Sequence, residues 1–255
     1  MKNRGTYLTK TVFSVIFIAI TLVVWQIVAL IVNDDFAVPS LLSVGADMLK
    51  IFYVPSFSIA YFSTLLRAFI GFALSFITGV LLAVVAKKFA FIKGLCVPLV
   101  SVIRLIPTMA IASLLCITLS PSVASVAVCF TVVMPYVYSS AQAMLESVGD
   151  ELLEMAKVYG VPHGRVLSGI YLPTVKKPLV ELLGTAFSFA LKITVSSEVV
   201  TGALKSMGGL INTAQNVYLS PSLVVAVTVW VVVTGLFAEL ITHLVATLLD
   251  KRRRA

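Results

Sequence analysis

Six long apolar runs divide the sequence, and they constrain its fold more strongly than any other feature. A helix needs about 20 predominantly apolar residues to cross the hydrocarbon core of a bilayer. Each run is long enough for one crossing, and the runs cover residues 11–32, 57–86, 95–119, 122–145, 178–203 and 221–249. The sequence therefore predicts an all-α integral membrane protein with about six transmembrane helices.

The composition excludes several other classes of protein. Hydrophobic residues make up 60% of the chain and charged residues 12%, whereas soluble domains have about 45–50% and about 25%. Intrinsic disorder is excluded by this apolar content, and three cysteines are too few for a disulfide scaffold. The net charge of +8 comes from short basic clusters between the apolar runs, not from one basic face. We therefore expect no nucleic-acid partner.

The positions of the basic residues predict the orientation of the helices. If both termini are cytoplasmic, 14 of the 19 lysines and arginines fall in cytoplasmic segments, two in external segments and three within the apolar runs. Cytoplasmic loops of membrane proteins carry an excess of Lys and Arg. The pattern thus predicts that both termini are cytoplasmic (an N-in, C-in topology). We expect the helices to be surrounded by the lipid bilayer.

The sequence lacks the motifs of the common catalytic and cofactor sites. It has no G-x-x-x-x-G-K-[ST] phosphate loop, so we expect no ATP site on this chain. The two histidines are 80 residues apart, and the three cysteines lie in apolar runs without C-x-x-C spacing. We expect no catalytic residue, no resident cofactor and no metal site, which leaves a membrane enzyme as a remote alternative.

The polar interval at residues 146–177 carries the most specific motif. It contains Glu154-Met155-Ala156-x-x-x-Gly160, then nine residues, then Ile170-x-Leu172-Pro173. This segment resembles the E-A-A-x-x-x-G-x9-I-x-L-P loop of ABC importer permeases, and only Met155 departs from the pattern. The resemblance implies that Glu154, Met155, Ala156, Gly160, Ile170, Leu172 and Pro173 couple the chain to a separate ATPase.

The residues of this loop predict a helix-turn-helix knob on the cytoplasmic side. Residues 152–159 are helix formers, and Gly160 can end that helix in a left-handed conformation. Pro162 suits the first turn of a second short helix. We expect Pro173 and Pro178 to separate this second helix from the fifth span. The alternative is a plain amphipathic connector on the membrane surface.

The resemblance extends from about Val38 to Leu249 and favours the sulfonate, taurine and nitrate branch of these permeases. It includes Thr64-Leu65-Leu66-Arg67, the segment from Pro98 to Ala110, and Lys192-x5-Glu198. Gly208-Gly209-Leu210 stands where the branch more often has Gly-Leu-Gly, and we expect a flexible turn there. The resemblance implies a type I ABC importer transmembrane domain in the inner membrane of a bacterium.

Within this family the chain is expected to work in a larger assembly. The implied partners are a second permease copy, two ATPase subunits that bind ATP and magnesium, and an external solute-binding protein. The expected organisation has three parts. These are a cytoplasmic tip, first transmembrane helix and external segment with an amphipathic helix over Leu41 to Tyr53 (residues 1–56), a core permease domain (57–249) and a basic cytoplasmic tail (250–255).

Charged residues inside the apolar runs are functional candidates, because a charge at a helix centre in hydrocarbon costs at least about 2.5–3.5 kcal/mol. Arg104, Lys192 and Glu198 are candidates for the translocation path, and the alternative for each is a structural contact with a neighbouring helix. A second set, spaced every four residues on one helix face, is predicted to serve helix packing because small residues allow close approach. This set is Arg67, Gly71, Ser75 and Gly79.

The resemblance implies ATP-driven import, with the chain as the transmembrane permease subunit and hydrolysis on a partner. Three intramembrane cations against one deep acid favour a small organic or inorganic anion as substrate. An alternative substrate is a heterocycle such as a thiamine precursor. The alternative classes are an ion-coupled secondary transporter, which would take up substrate without ATP, and a membrane scaffold or sensor.

Overall fold

A computed structural model describes residues 3–254, without the side chains of residues 3–11, 14, 150, 163 and 250–254. Within these residues the structure is helical, and the connections between helices are short. The eleven α-helices are α1 (Asn3–Val32), α2 (Leu41–Phe52), α3 (Pro55–Lys88), α4 (Ala90–Leu105), α5 (Thr108–Thr118), α6 (Pro121–Glu146), α7 (Asp150–Val158), α8 (His163–Val166), α9 (Leu172–Thr201), α10 (Met207–Asn216) and α11 (Pro221–Arg254). A π-helical turn, Leu167–Tyr171, joins α8 to α9.

The helices are long and apolar enough for the predicted membrane fold. In the described part of the chain five helices could each cross a bilayer, and the number rises to six if α4 and α5 together form one bent span. The most apolar 18 residues of α1 are only 6% buried, against 44% in the corresponding windows of α6 and α9. Such exposure of apolar residues requires lipid or a protein partner around α1. The prediction of an all-α membrane protein with about six spans is confirmed.

The third apolar run is two helices and not one. α4 and α5 meet at an angle of 91° across Ile106 and Pro107. Ile106 has an extended backbone, with φ −72° and ψ 125°, because the ring of a following proline disfavours the α region. Pro107 also lacks the N–H that a continuous helix would use. The bend places the end of α4 and the start of α5 on one wall of the cavity described below.

Contact clustering divides the chain into two compact units. The first comprises residues up to Ser58 together with Leu210–Trp230, and the second comprises Ile59–Gly209 together with the residues from Val231 onward. In the first unit, the indole N–H of Trp25 donates to the Pro39 carbonyl at 2.9 Å, and the Leu41 N–H donates to the Gln26 side chain at 3.0 Å. These bonds tie α1 to the start of α2, which is the helix predicted from the amphipathic pattern.

The core of the second unit is formed mainly by α6 and α9, with α5 packed against both. Its buried side chains are small or branched and include Val128, Val133, Ala186 and Ala190. Small residues at such contacts allow helix backbones to approach closely, which is the usual basis of helix packing in membranes. The two central helices therefore provide a tightly packed support for the residues on their other faces.

The stripe of small residues on α3 lies against α6. A methyl group on Gly71 would lie 2.7 Å from Sγ of Cys129, and one on Gly79 would lie 2.9 Å from Cγ1 of Val137. Ser75 is fully buried between them, and its hydroxyl donates to the Gly71 carbonyl at 2.7 Å. Arg67, at the end of the stripe, instead binds a carboxylate on α9, as described below.

Replacing Gly71 with alanine should destabilise the protein, because the added methyl would overlap Cys129. Overpacking of this kind costs about 1–3 kcal/mol. Gly94→Ala is the matched control, since a methyl there meets nothing within 4 Å and alanine favours a helix over glycine. Thermal unfolding of the purified protein in detergent should show a lower midpoint for Gly71→Ala only. Equal midpoints for the two variants would contradict the close packing of α3 on α6.

Candidate functional site

The loop at residues 146–177 forms a knob. Its first helix, α7, is followed by a turn at Gly160. Gly160 has φ +63°, the left-handed region that glycine enters without steric cost. The Val161 N–H donates to the Ala156 carbonyl at 2.9 Å, and the Gly160 N–H donates to the Lys157 carbonyl at 3.1 Å. This pair of bonds is the Schellman motif, which satisfies the last carbonyls of α7. The turn at Gly160 therefore sets the direction in which the chain leaves α7.

The second part of the knob continues directly into α9. The expectation that Pro173 and Pro178 separate the two is wrong, because residues Gly164–Thr201 form one uninterrupted helical stretch. The Leu172 N–H donates to the Leu167 carbonyl in the π-helical turn, and Pro173 then occupies the first turn of α9, where its missing N–H costs little. Pro178 lies inside α9 without interrupting the helix.

The knob exposes an unusual amount of apolar surface. Met155 is 52% exposed, Val158 83% and Leu172 54%. Leu152, Tyr159 and Leu167 are also exposed. Large apolar side chains grouped in this way on a short segment mark a protein contact surface.

The other residues of the predicted coupling motif have varied surroundings. Glu154 and Gly160 are exposed, Ile170 and Pro173 are half-buried, and Ala156 is buried. Part of the motif thus lies at the surface of the knob, and the rest is wholly or partly covered by other residues.

A cavity of about 1090 Å³ lies between the α4–α5 bend, α6 and α9. Both Arg104 and Lys192 line it, together with the hydroxyl residues Ser139, Ser140 and Ser196. The rest of the wall is largely apolar and includes Tyr136 and Phe189, whose ring centroids lie 5.3 Å apart. Among the lining residues there is no aspartate or glutamate. The wall is therefore cationic and apolar, with hydroxyl groups that can bind polar atoms.

The two cations of the cavity have different surroundings. One guanidinium nitrogen of Arg104 donates to the Pro135 carbonyl at 3.0 Å. Within the described residues, Lys192 has no hydrogen-bond or ion-pair partner. Ser196 lies four residues after Lys192 on the same exposed face of α9, so both side chains lie on one stripe of the helix. Lys192 is thus a cation on the wall without a partner among the described residues, while Arg104 keeps further N–H donors.

Glu198 lies away from the cavity, in a buried network on the other side of α9. Its side chain is fully buried, and Oε1 accepts from Nη1 of Arg67 at 2.9 Å. The other oxygen, Oε2, accepts from the Thr64 hydroxyl at 2.8 Å and from the Gly208 N–H at 3.2 Å. The carboxylate thereby joins α3, the end of α9 and the start of α10. Sequence spacing alone did not assign Thr64 a role, although it lies one helical turn before Arg67.

The Gly208-Gly209 segment belongs to the first turn of α10, so the prediction of a flexible turn there is wrong. A methyl group on Gly208 would overlap the side chain of Glu198, and one on Gly209 would lie 2.6 Å from the Ala203 carbonyl. Gly208 is needed because α10 begins against the backbone of α9, and Gly209 because it lies against the turn that follows α9. Close approach therefore explains the glycines better than flexibility does.

In the described part of the chain, no group of three or more histidine, cysteine, aspartate or glutamate side chains lies close enough together to hold a metal ion.

Comparisons with known proteins place this architecture in context. A family model described as "binding-protein-dependent transport system inner membrane component" matches residues 75–255. No curated protein matches the sequence significantly. Among the solved structures that share the fold are three ABC transporters, and their low identities mean that they inform the fold alone.

One is an amino acid ABC transporter crystallised with histidines, at 19% identity and a TM-score of 0.67 over 78% of this chain and 96% of that one. Another is a bacterial ABC transporter involved in the import of the acidic polysaccharide alginate, at 15% identity and a TM-score of 0.66 over 95% and 94%. A third is the methionine ABC transporter MetNI in an inward-facing conformation, at 14% identity and a TM-score of 0.60 over 73% and 92%.

Proposed function

Since the chain belongs to the family of binding-protein-dependent transport system inner membrane components, we propose that it imports a small organic or inorganic anion of the sulfonate, taurine or nitrate type. Membership makes it a permease subunit of an ABC importer in the bacterial inner membrane, with a transport role and not an enzymatic one. The observation that carries the anion proposal is the cavity wall, where Arg104 and Lys192 face the same space and no lining residue is acidic.

Substrate charge follows from the electrostatics of this wall. An ammonium group within a few ångströms of a carboxylate or sulfonate in a partly buried site is attracted by several kcal/mol, about 4 kcal/mol at 4 Å and an effective dielectric of 20. The hydroxyl groups of Ser139 and Ser196 supply donors for further oxygens of the anion. The surrounding apolar residues suit the carbon portion of an organic anion. A sulfonate with a short apolar body meets each of these features.

Energy for transport would come from two ATPase subunits that dock on the knob. Met155, Val158 and Leu172 offer apolar contacts there, and Glu154 offers a charge on the same surface. ATP and magnesium would bind to the partner ATPase. A second copy of this chain and an external solute-binding protein would complete the assembly. ATP and the loaded binding protein must each prefer a different conformation of the permease, since a ligand shifts an equilibrium only by differential affinity.

A second candidate substrate is an aromatic heterocycle such as a thiamine precursor. The observation that favours it is the pair of rings on the cavity wall, Tyr136 and Phe189. Offset or tilted aromatic pairs can accommodate a further ring. A cationic heterocycle would, however, face repulsion from Lys192, so a neutral ring is the form that this wall accommodates.

Purification of the chain with its partner ATPase and a solute-binding protein would test the proposal. In lipid vesicles, ATP hydrolysis should rise at least about threefold with a binding protein loaded with taurine, an alkanesulfonate or nitrate, and the unloaded binding protein is the control. Stimulation only by a heterocycle would replace the anion with the second candidate. Failure of the ATPase to co-purify would contradict docking on the knob, and uptake by the chain without ATP would favour a secondary transporter.

A further inference from the structure

A single helical stretch connects three features that the preceding sections describe separately. Residues Gly164–Thr201 begin in the knob and run without a break to the far end of α9. On the way the helix carries Lys192 and Ser196 on the cavity wall. Its last turn carries Glu198, buried and hydrogen-bonded to other elements. A displacement of the knob therefore reaches the cavity wall through one continuous helix.

The first turn of α10 is held by side-chain hydrogen bonds, one of which comes from the far end of α9. The first N–H groups of a helix have no partner within the helix, and in α10 three of them are satisfied by side chains. The Met207 N–H donates to the Thr64 hydroxyl at 2.9 Å, the Gly208 N–H to Glu198 at 3.2 Å and the Gly209 N–H to the Ser206 hydroxyl at 2.8 Å. The network thus closes around the first turn of α10.

The charges in the network suit this position. A carboxylate is stabilised at a helix N-terminus by the helix dipole and by free N–H groups. Glu198 also pairs with Arg67, whose side chain is only 15% exposed. Removing one partner of such a buried pair leaves the other charge without compensation. Glu198 is therefore fixed from two sides, by α3 and by the start of α10.

We propose that Glu198, held by Arg67, Thr64 and the first turn of α10, is a positioning residue that fixes the far end of α9, so that α9 pivots there when the knob moves. This role rests on the proposed function, since it is ATP on the partner that would displace the knob. The pivot leaves the end of α9 in place and moves the part of the helix that carries Lys192. Glu198 thereby acts on the path without touching the substrate.

Thr64→Val is the most specific test, because valine keeps the shape of threonine and removes only the hydroxyl that joins Met207 to Glu198. Thr64→Ser retains the hydroxyl and is the matched control. Hydrogen exchange of the purified chain should show loss of protection at residues 207–209 in Thr64→Val, with α6 still protected. Thr64→Ser should exchange like the parent. Unchanged protection in Thr64→Val would overturn the network itself.

The pivot is tested without any substrate. Ser196→Cys places a thiol on the cavity wall, and labelling by a membrane-impermeant maleimide in vesicles with the partner ATPase reports which side the cavity faces. The same vesicles without Ser196→Cys give the background from the native cysteines. With Thr64 or Thr64→Ser, ATP should change the extent of labelling at least about threefold. With Thr64→Val, the ratio of labelling with ATP to labelling without ATP should be about one. A full ATP response in Thr64→Val would overturn the pivot.

Charge exchange separates the pivot from a simple ion pair. Arg67→Glu combined with Glu198→Arg restores a pair but places a cation against the first turn of α10. We expect the ATP-dependent change in labelling to be absent in this double variant. A change as large as that of the parent would overturn the requirement for a carboxylate at position 198. If the parent itself gives no ATP response, the proposed function fails together with the pivot's role in transport, while hydrogen exchange still shows whether Glu198 holds α10.

Discussion

Replacing Gly160 with valine should abolish ATP-driven uptake and reduce recovery of the partner ATPase at least about tenfold. Gly160 has φ +63°, and a β-branched residue with positive φ is a genuine outlier. The left-handed region costs an ordinary L-residue about 1–2 kcal/mol, and the branched side chain of valine adds to that cost. The chain would relax by leaving this region, which breaks the two bonds that end α7. The knob would then lose the shape that the ATPase contacts.

Two controls separate backbone conformation from added bulk. Gly160→Asn should retain most of the uptake, because asparagine tolerates the left-handed region and also occurs at helix ends of this kind. Gly164→Val places the same side chain in the same knob at a glycine with ordinary φ and open space around it, so its effect should be small. Uptake and the amount of co-purified ATPase are the two measurements. Normal uptake by Gly160→Val would mean that the turn does not couple the chain to ATP hydrolysis.

The turn that ends α7 is the part of the knob that sequence reasoning predicts best, because its determinants are local. A glycine at the end of a helix and a proline shortly after it indicate the turn within a few residues of chain. The helix expected at Leu41 to Tyr53 is predictable for the same reason, since its amphipathic pattern lies within one segment. The span count is likewise a property of consecutive residues.

The surroundings of the charged residues involve side chains that are far apart in the sequence, and the sequence does not predict these contacts. Glu198 and Lys192 lie six residues apart on one helix, and both were assigned to the path. Their environments differ because Glu198 packs against Arg67, 131 positions earlier in the chain, while Lys192 lies on the cavity wall. Helical periodicity separates the two faces of α9 but does not identify which element covers each face. Only tertiary packing decides that.

The bend at Ile106 and Pro107 illustrates the same limit. A proline such as Pro107 disfavours a continuous helix, but the size of the bend, 91°, depends on how α4 and α5 pack against their neighbours. The glycines at 208 and 209 are a further example. A pair of glycines suits a flexible loop and a crowded helix contact equally well. The two cases are distinguished only by the neighbouring backbone, which is that of α9 at Gly208 and that of Ala203 at Gly209.

Replacing Lys192 with glutamate should lower anion uptake at least about 100-fold, since each 1.4 kcal/mol corresponds to a factor of ten and the change turns an attraction into a repulsion. Lys192 has no partner among the described residues, so the substitution breaks no ion pair in the resting structure. The knob is untouched, and the partner should therefore co-purify and hydrolyse ATP at the basal rate.

Two controls place this effect on the cavity wall. Lys192→Arg keeps the charge and should retain most of the uptake, although the guanidinium differs in shape from the ammonium. Lys205→Glu makes the same change of charge at an exposed position outside the cavity wall and should leave uptake within about twofold. Uptake of radiolabelled taurine or nitrate into vesicles is the measurement. If Lys192→Glu carries the anion as well as the parent does, the cavity is not the path for an anion, and ATP-driven uptake of a neutral heterocycle by the parent would support the second candidate substrate.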